Sequence, residues 1–313
     1  MRRQMTRIEG SERVTVVLVH WNQAARCVAT VAAFRAQEGV ATEIIIVDNG
    51  SRRDQLDVLG GIPNVTVIGL DTNAGFGPGA NAGWREWLDR GTGEWCVVAP
   101  HDALPAPDCL PRMLAELDER PNAGLACADV GDGHTPVIDP YFGGLTMPST
   151  AGPGWESAGY PHGTLLIARR TCLVEIGLFD ERYFAYCEEA DLGERARRAG
   201  WDVGIVRGAR VTNPYLGGGS DIVDYLMLRN TLLLVRAHFG RYRAGIRFVI
   251  ALMHLVRGTL DPSSRPWIFA PAARVRALVD FSLGRFGPPP ASLTSRVHRP
   301  ATIDSTSAPP PQA

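Results

Sequence analysis

Apolar residues come in two rhythms along this chain. Short unbroken runs dominate its first hundred residues. RVTVVLVHWN (13–22), TEIIIVDNGS (42–51), NVTVIGL (64–70) and EWCVVAPHD (94–102) are rich in β-branched residues and predict buried strands. Between them QAARCVATVAAFRAQ (23–37), QLDVLGGI (55–62) and GANAGWREWLDRG (79–91) predict helices, the last closed by Gly91. Strands that alternate with helices imply a parallel α/β sheet, whose ligands bind at the carboxyl ends of the strands. The polar tips His20–Asn22, Asp48–Ser51, Asn73–Gly79 and His101–Asp102 are therefore expected to gather on one edge.

The rhythm then changes. Residues 121–165 are rich in Gly and Pro and read as loop. GTLLIARR (163–170) predicts a strand, followed by a helix and the segment FDERYF (179–184). A charged helix ends at Gly200, and WDVGIVRGARVT (201–212) reads as a strand pair or one bent strand. After GGGS (217–220) helical spacing resumes from about Asp221. The low-complexity tail, from 288 on, predicts disorder. The expected organisation is a polar segment 1–12, an α/β domain 13–220, a helical extension 221–285 and a disordered tail 286–313. No internal repeat is evident.

Composition excludes several chemistries. Net charge is −1 over 313 residues, so nothing points to nucleic acid. Every one of the 32 basic residues is arginine. A Schiff-base lysine and a P-loop are both ruled out. The six cysteines are scattered without a Cys-x-x-Cys pair, which implies buried reduced thiols in a cytoplasmic protein. The polar start precedes an apolar run too short for a signal peptide, and the run Phe248–Val256 is too short to span a bilayer. Residues 225–285 hold ten arginines against two aspartates. Such a region suits either a packed accessory layer with solvated arginines or a surface that meets anionic lipids.

Single motifs leave alternatives open. Asp48 ends a strand and can accept hydrogen bonds from a ligand, but an Asx turn accounts for it as well. Gly75, Gly77 and Ala80 fit G-x-G-x-x-A, a dinucleotide fingerprint that would imply an NAD-dependent oxidoreductase. The match follows the third strand rather than the first, and Pro78 removes an N–H from the loop. Asp102 can hold Mg2+ or Mn2+, or cap the following helix. Glu188, Glu189 and Asp191 crowd a helix start, which the helix dipole favours. Asp191 and Arg195 stand four apart, a pairing typical of a helix face. Two adjacent acids behind the aromatic stretch YFAYC (183–187) also raise one another's pKa, as a general base requires.

Taken in order, VVLVHWN, IIIVDNGS, NAGFGPGANAG, VVAPHDALP, GTLLIARR, GLFDERYFAYCEEADLGERARRAGW and the pair Arg229–Asn230 resemble the family-2 inverting glycosyltransferases of the GT-A fold, in particular bacterial rhamnosyltransferase-like members. The resemblance covers about residues 13–235. It implies a Rossmann-like, mostly parallel sheet flanked by helices, with a C-terminal helical extension. It implies transfer of a sugar from a dTDP- or UDP-sugar, dTDP-rhamnose among them, to a glycan or lipid-linked acceptor in cell-wall polysaccharide synthesis. The place would be the cytoplasm at the inner membrane face, with peripheral membrane contact. Glu189 falls at the base, beside Glu188, and Asp191 orients the helix or an acceptor hydroxyl. Asp48 falls at the nucleotide base, with His20, Trp21, Asn22 and Asn49 beside it. Asn73, Gly75, Phe76 and Asn81 line the donor pocket, His101 adjoins it, and Arg229 meets the diphosphate. Asp102 falls at a divalent metal, Mg2+ or Mn2+. Two departures weaken the metal motif: it has one carboxylate, in Pro100-His101-Asp102, and Asn213 replaces a downstream histidine. A catalytically silent sugar-nucleotide or glycan-binding protein is the alternative that this depletion suggests.

Overall fold

β1 (Arg13–His20) buries every residue but its first. Alternate side chains go to opposite faces of a strand, so a strand covered on both sides must be apolar throughout. Val14, Val16 and Leu18 enter one core, and Val17 and Val19 enter the other. β2 (Ala41–Asp48) and β4 (Trp95–Pro100) divide their residues in the same way.

The computed structural model describes residues 13–214, 220–266 and 268–294. The expected polar start, most of the expected tail and the glycines of GGGS lie outside them. Between β1 and β2 runs α1 (Ala24–Arg35). α2 (Arg53–Gly60), β3 (Val65–Gly69) and α3 (Phe76–Arg90) follow before β4. Gly91 closes α3 in the left-handed region, as the sequence predicts. Then come β5 (Leu104–Pro105), α4 (Cys109–Asp118), β6 (Ala123–Asp129), β7 (His134–Asp139), β8 (Gly143–Pro148), β9 (Gly154–Ser157) and β10 (Leu166–Arg169). α5 (Arg170–Ile176), α6 (Glu188–Arg198), β11 (Asp202–Thr212), α7 (Asp221–Leu260), α8 (Pro271–Ser282) and α9 (Ala291–Thr294) complete the described chain.

The main sheet runs β3-β2-β1-β4-β10-β6-β11-β5, with β9 also on β11. β1 to β4 pair in parallel, as do β6 and β11. β10 lies antiparallel between β4 and β6. Its entry end therefore sits at the carboxyl ends of both neighbours. α1 and α4 cover one face, and α3, α5 and α6 the other.

One reading needs correction, and one alternative is decided. Residues 121–165 are not mainly loop: they hold β6, the β7–β8 hairpin and β9. β6, AGLACAD, is buried throughout, yet its small residues carry little β-branched signal. Residues 202–212 form one strand, β11, whose register on β6 shifts between Val206 and Arg210. Gly208 takes a positive φ inside that bulge.

α7 changes direction at Gly240, whose φ is 88°. Its first half carries Leu233 and Leu234, which pack with Tyr183 and Ala190 at the start of α6. Its second half packs with α8 around Ala244, Ala251, Leu255, Ala277 and Phe281. Asp224 joins the two helices by accepting from the Ala270 amide and from Arg274.

Candidate active site

The carboxyl edge of the sheet begins with a pair of buried groups. The His20 Nδ1 donates to Asp48 Oδ1 at 2.8 Å, and its Nε2 accepts from the Gln23 amide. The second Asp48 oxygen accepts from the Ser51 amide at 2.9 Å, which is the local turn bond the sequence allows. Burial holds His20 below its ordinary pKa, opposed by Asp48. Asn49 then reaches the next loop. Its amide nitrogen donates to the Gly75 carbonyl and its oxygen accepts from the Ala74 amide, both at 2.8 Å. Trp21 stays exposed, Asn22 accepts from the Arg52 amide, and Asn73 accepts from the Gly75 amide.

The glycine-rich loop serves a purpose the sequence did not suggest. A Cβ on Gly75 would overlap the Phe184 carbonyl oxygen. The Gly77 amide donates to that same oxygen at 3.3 Å. The loop is thus open for close approach of the 183–187 segment, and a backbone carbonyl caps the first turn of α3. This use of the glycines removes the basis of the dinucleotide reading. Phe76 packs beside Phe179. Asn81, expected in the donor pocket, is buried and clamps the Phe179 backbone through both ends of its amide.

Residues 184–187 carry strain. Phe184, Tyr186 and Cys187 all have positive φ although none is glycine. Phe184 sits at φ 67°, ψ −62°, in a γ-turn closed by the Ala185 amide on the Tyr183 carbonyl. Such conformations persist only where their surroundings over-determine them. Asn230 supplies that constraint: its amide donates to the carbonyls of Tyr183, Ala185 and Tyr186 at 2.8 to 2.9 Å. Arg229, expected at the diphosphate, is fully buried. It donates to Asn230, to the Tyr225 hydroxyl and to the Tyr183 carbonyl. Its guanidinium therefore braces the loop and has no face left for a ligand.

The loop delivers the acid pair. Glu188 is 1% exposed, and its Oε2 has no partner. A Cβ on Gly77 would lie 3.7 Å from the Glu188 Cγ, so this side chain borders the first turn of α3. Burial, then the charge of Glu189, pushes the Glu188 carboxyl well above its ordinary range. Glu189 points elsewhere: a Cβ on Gly163 would overlap its Oε1. β10 starts at Leu166, opposite Val98 near the carboxyl end of β4, so Gly163 just ahead of it lies toward that edge of the sheet. Glu189, set against Gly163, thus lies toward the carboxyl edge of the sheet. It keeps some accessible surface, yet protein surrounds it, and that burial raises its carboxyl to about 7. Asp191 belongs to neither group. Its oxygens take the Arg195 Nε at 2.8 Å and the His238 Nε2 at 2.7 Å. Burial opposes its ionisation, but His238 and Arg195 more than offset that and hold it below the usual range. It fastens α6 to α7, and both oxygens are committed.

Asp102 does not cap α4, whose start is Cys109. β5 pairs with the end of β11, and this brings Asn213 to Asp102, with its amide on Oδ1 at 2.9 Å. The His101 Nε2 is buried without a partner, while its Nδ1 faces the Val19 carbonyl at 3.2 Å. Burial lowers the pKa of His101. Among the described residues no three His, Cys, Asp or Glu side chains are grouped to hold a metal ion. An ion at Asp102 would have to draw most of its ligands from substrate and water, a pattern usual for Mg2+ with diphosphates.

Residues 15–144 match the family model described as glycosyl transferase family 2. Over that stretch the chain is similar to family 2 glycosyltransferases. The match ends before the Glu188–Glu189 pair. The chain is 27% identical, over 69% of its length and 83% of the relative's, to an N-acetylglucosaminyl-diphospho-decaprenol L-rhamnosyltransferase from Mycobacterium tuberculosis. The succinoglycan biosynthesis protein ExoO of Rhizobium meliloti is 35% identical over 34% of this chain and 30% of its own. Among solved structures, the mannosyltransferase PcManGT from Pyrobaculum calidifontis, in complex with GDP-Man and Mn2+, superposes with a TM-score of 0.57 at 15% identity. That likeness covers 88% of this chain and 89% of the other. GalNAc-T7, with UDP, GalNAc and Mn2+, gives 0.53 at 14% identity over 68% of this chain and 48% of its own. The fold is GT-A, with a helical region at its C-terminal end.

The acid pair and the strand tips were legible as candidates. Gly163 and Asn230 lie in stretches that carry the resemblance, yet the sequence assigns neither a role, because each acts through a contact distant in sequence.

Proposed function

We propose that the chain transfers a sugar from a nucleotide-diphosphate donor to a glycan or lipid-linked acceptor with inversion, with Glu189 as general base. The observation that supports this reading is the position of Glu189, delivered by the strained 184–187 segment and set against Gly163 just ahead of β10, where burial raises its carboxyl to about 7. A base poised near working pH removes a proton most effectively as the acceptor hydroxyl attacks the anomeric carbon. The bond to the nucleotide diphosphate breaks as the new glycosidic bond forms on the opposite face. Burial, then the charge of Glu189, pushes the Glu188 carboxyl up, which makes Glu189 the better candidate of the pair to take up a proton. A nucleotide-activated rhamnose, dTDP-rhamnose first, is the donor to test and a diphosphate-linked polyprenol the acceptor, since the relative from M. tuberculosis is named for rhamnosyl transfer to an N-acetylglucosaminyl-diphospho-decaprenol.

Asp102, with its Oδ1 held by Asn213, is our candidate ligand for a divalent cation brought by the donor. Bound there, the cation would neutralise charge that develops on the leaving diphosphate. The test is a screen of nucleotide sugars with and without Mn2+, read by release of nucleoside diphosphate. Release with a dTDP- or UDP-sugar that Glu189→Gln abolishes, while donor binding persists, is the expected result. Unchanged release by that variant would reject Glu189, and full activity in chelator would remove Asp102 from the metal.

A further inference from the structure

The second half of α7 is built the wrong way round for a helix that faces water. Ala244, Ala251, Leu255 and Gly258 are buried against the body of the protein. The opposite side should then be polar. Instead Tyr242, Val249, Met253, Val256 and Leu260 are all exposed there, with Tyr242 at 78% and Leu260 at 79%. Their spacing of 7, 4, 3 and 4 residues sets them in one outward stripe. α8, which packs on α7, exposes Val275 and Val279 four residues apart.

Charge identifies the occupant. From 225 to 260 the chain has no Asp or Glu. At the end of the stripe a cavity of about 330 Å³ is lined by His254, Arg257, Ser263, Ser264, Arg265 and Pro266. Neither arginine forms an ion pair among the described residues. The nearby Asp261 is turned to the Ser263 amide and hydroxyl. Burial, then the charges of Arg247, Arg274 and Arg257, holds His254 below its ordinary pKa, as an electropositive surrounding should. No helix among the described residues is long and apolar enough to cross a membrane.

We propose that this face of α7 seats on an anionic bilayer, with the apolar stripe at the headgroup boundary and a headgroup phosphate in the cavity at its end. A helix with an apolar face and arginines around it binds in this way, lying in the interface plane without spanning.

The test is co-sedimentation of the full chain with phosphatidylcholine vesicles, with and without phosphatidylglycerol. The chain is expected to partition onto the anionic vesicles only. Val249→Glu with Val256→Glu, at two exposed positions that leave the fold intact by circular dichroism, should reduce partition more than about tenfold. Arg257→Ala should reduce it roughly fivefold. Equal binding to both vesicle types, binding to neither, or a double variant that binds as the wild type would each overturn the proposal. So would a dimer in sedimentation equilibrium that the double variant dissolves, because the stripe would then belong to a second copy.

Discussion

The tips of β1 and β2 and the start of α6 lie at the same edge of the sheet, yet their carboxylates are treated in opposite ways. Asp48 is buried with both oxygens engaged, by His20 and by the Ser51 amide. Glu188 is equally buried with one oxygen left without a partner. The backbone around Asp48 needs only a local turn, whereas three non-glycine residues at positive φ precede Glu188. An engaged carboxylate stabilises the fold, whereas a buried, unsatisfied one stays chemically poised at the expense of stability. Asp191, one turn further along α6, follows the first pattern, with Arg195 and His238 on its oxygens.

The contrast breaks most sharply at Glu189. Glu189→Gln should lower turnover by about 10²- to 10⁴-fold with donor affinity unchanged, measured by nucleoside diphosphate release beside calorimetric donor binding. Asp191→Ala should do the reverse. It leaves Arg195 facing a buried vacancy and should destabilise the chain by about 3 kcal/mol in denaturant unfolding, far more than it changes the rate per folded molecule. Asn230→Ala comes next. Three loop carbonyls and the Arg229 Nε lose their partner, so unfolding should ease by about 2 kcal/mol, and turnover should fall as the loop loosens.

The smallest expected effect is on the pH dependence of stability. The folded pKa of Glu189, about 7, lies above the ordinary value of 4.5, so between them the folded chain binds more protons than the unfolded one. Stability should therefore fall as pH rises from about 4.5 to about 7, by about 1–3 kcal/mol. Glu189→Gln should flatten that slope and be the more stable protein at pH 8, as thermal melts across the range would show.

The sequence exposes what is local. Apolar runs split between two cores revealed β1 to β4, and the acids at the start of α6 stood out as a cluster. Strand β6 escaped notice because its Ala and Gly residues are buried by partners far along the chain. The glycines of 75–77 looked like a ligand cradle, since no spacing rule tells a phosphate from the Phe184 carbonyl that occupies it. Arg229 and Asn81 carried the right chemistry for a donor site, but their partners, Tyr183 and Phe179, are visible only once the chain is folded.

The central claim is that Glu189 is a base poised by burial. The pH dependence of kcat/KM for sugar transfer tests it most directly. The account predicts a rate that rises through an apparent pKa near 7, and a Glu189→Gln variant that loses both the rate and this limb of the profile. A limb set by a carboxylate titrating near 4.5, or a Gln variant that keeps the wild-type profile, would contradict it.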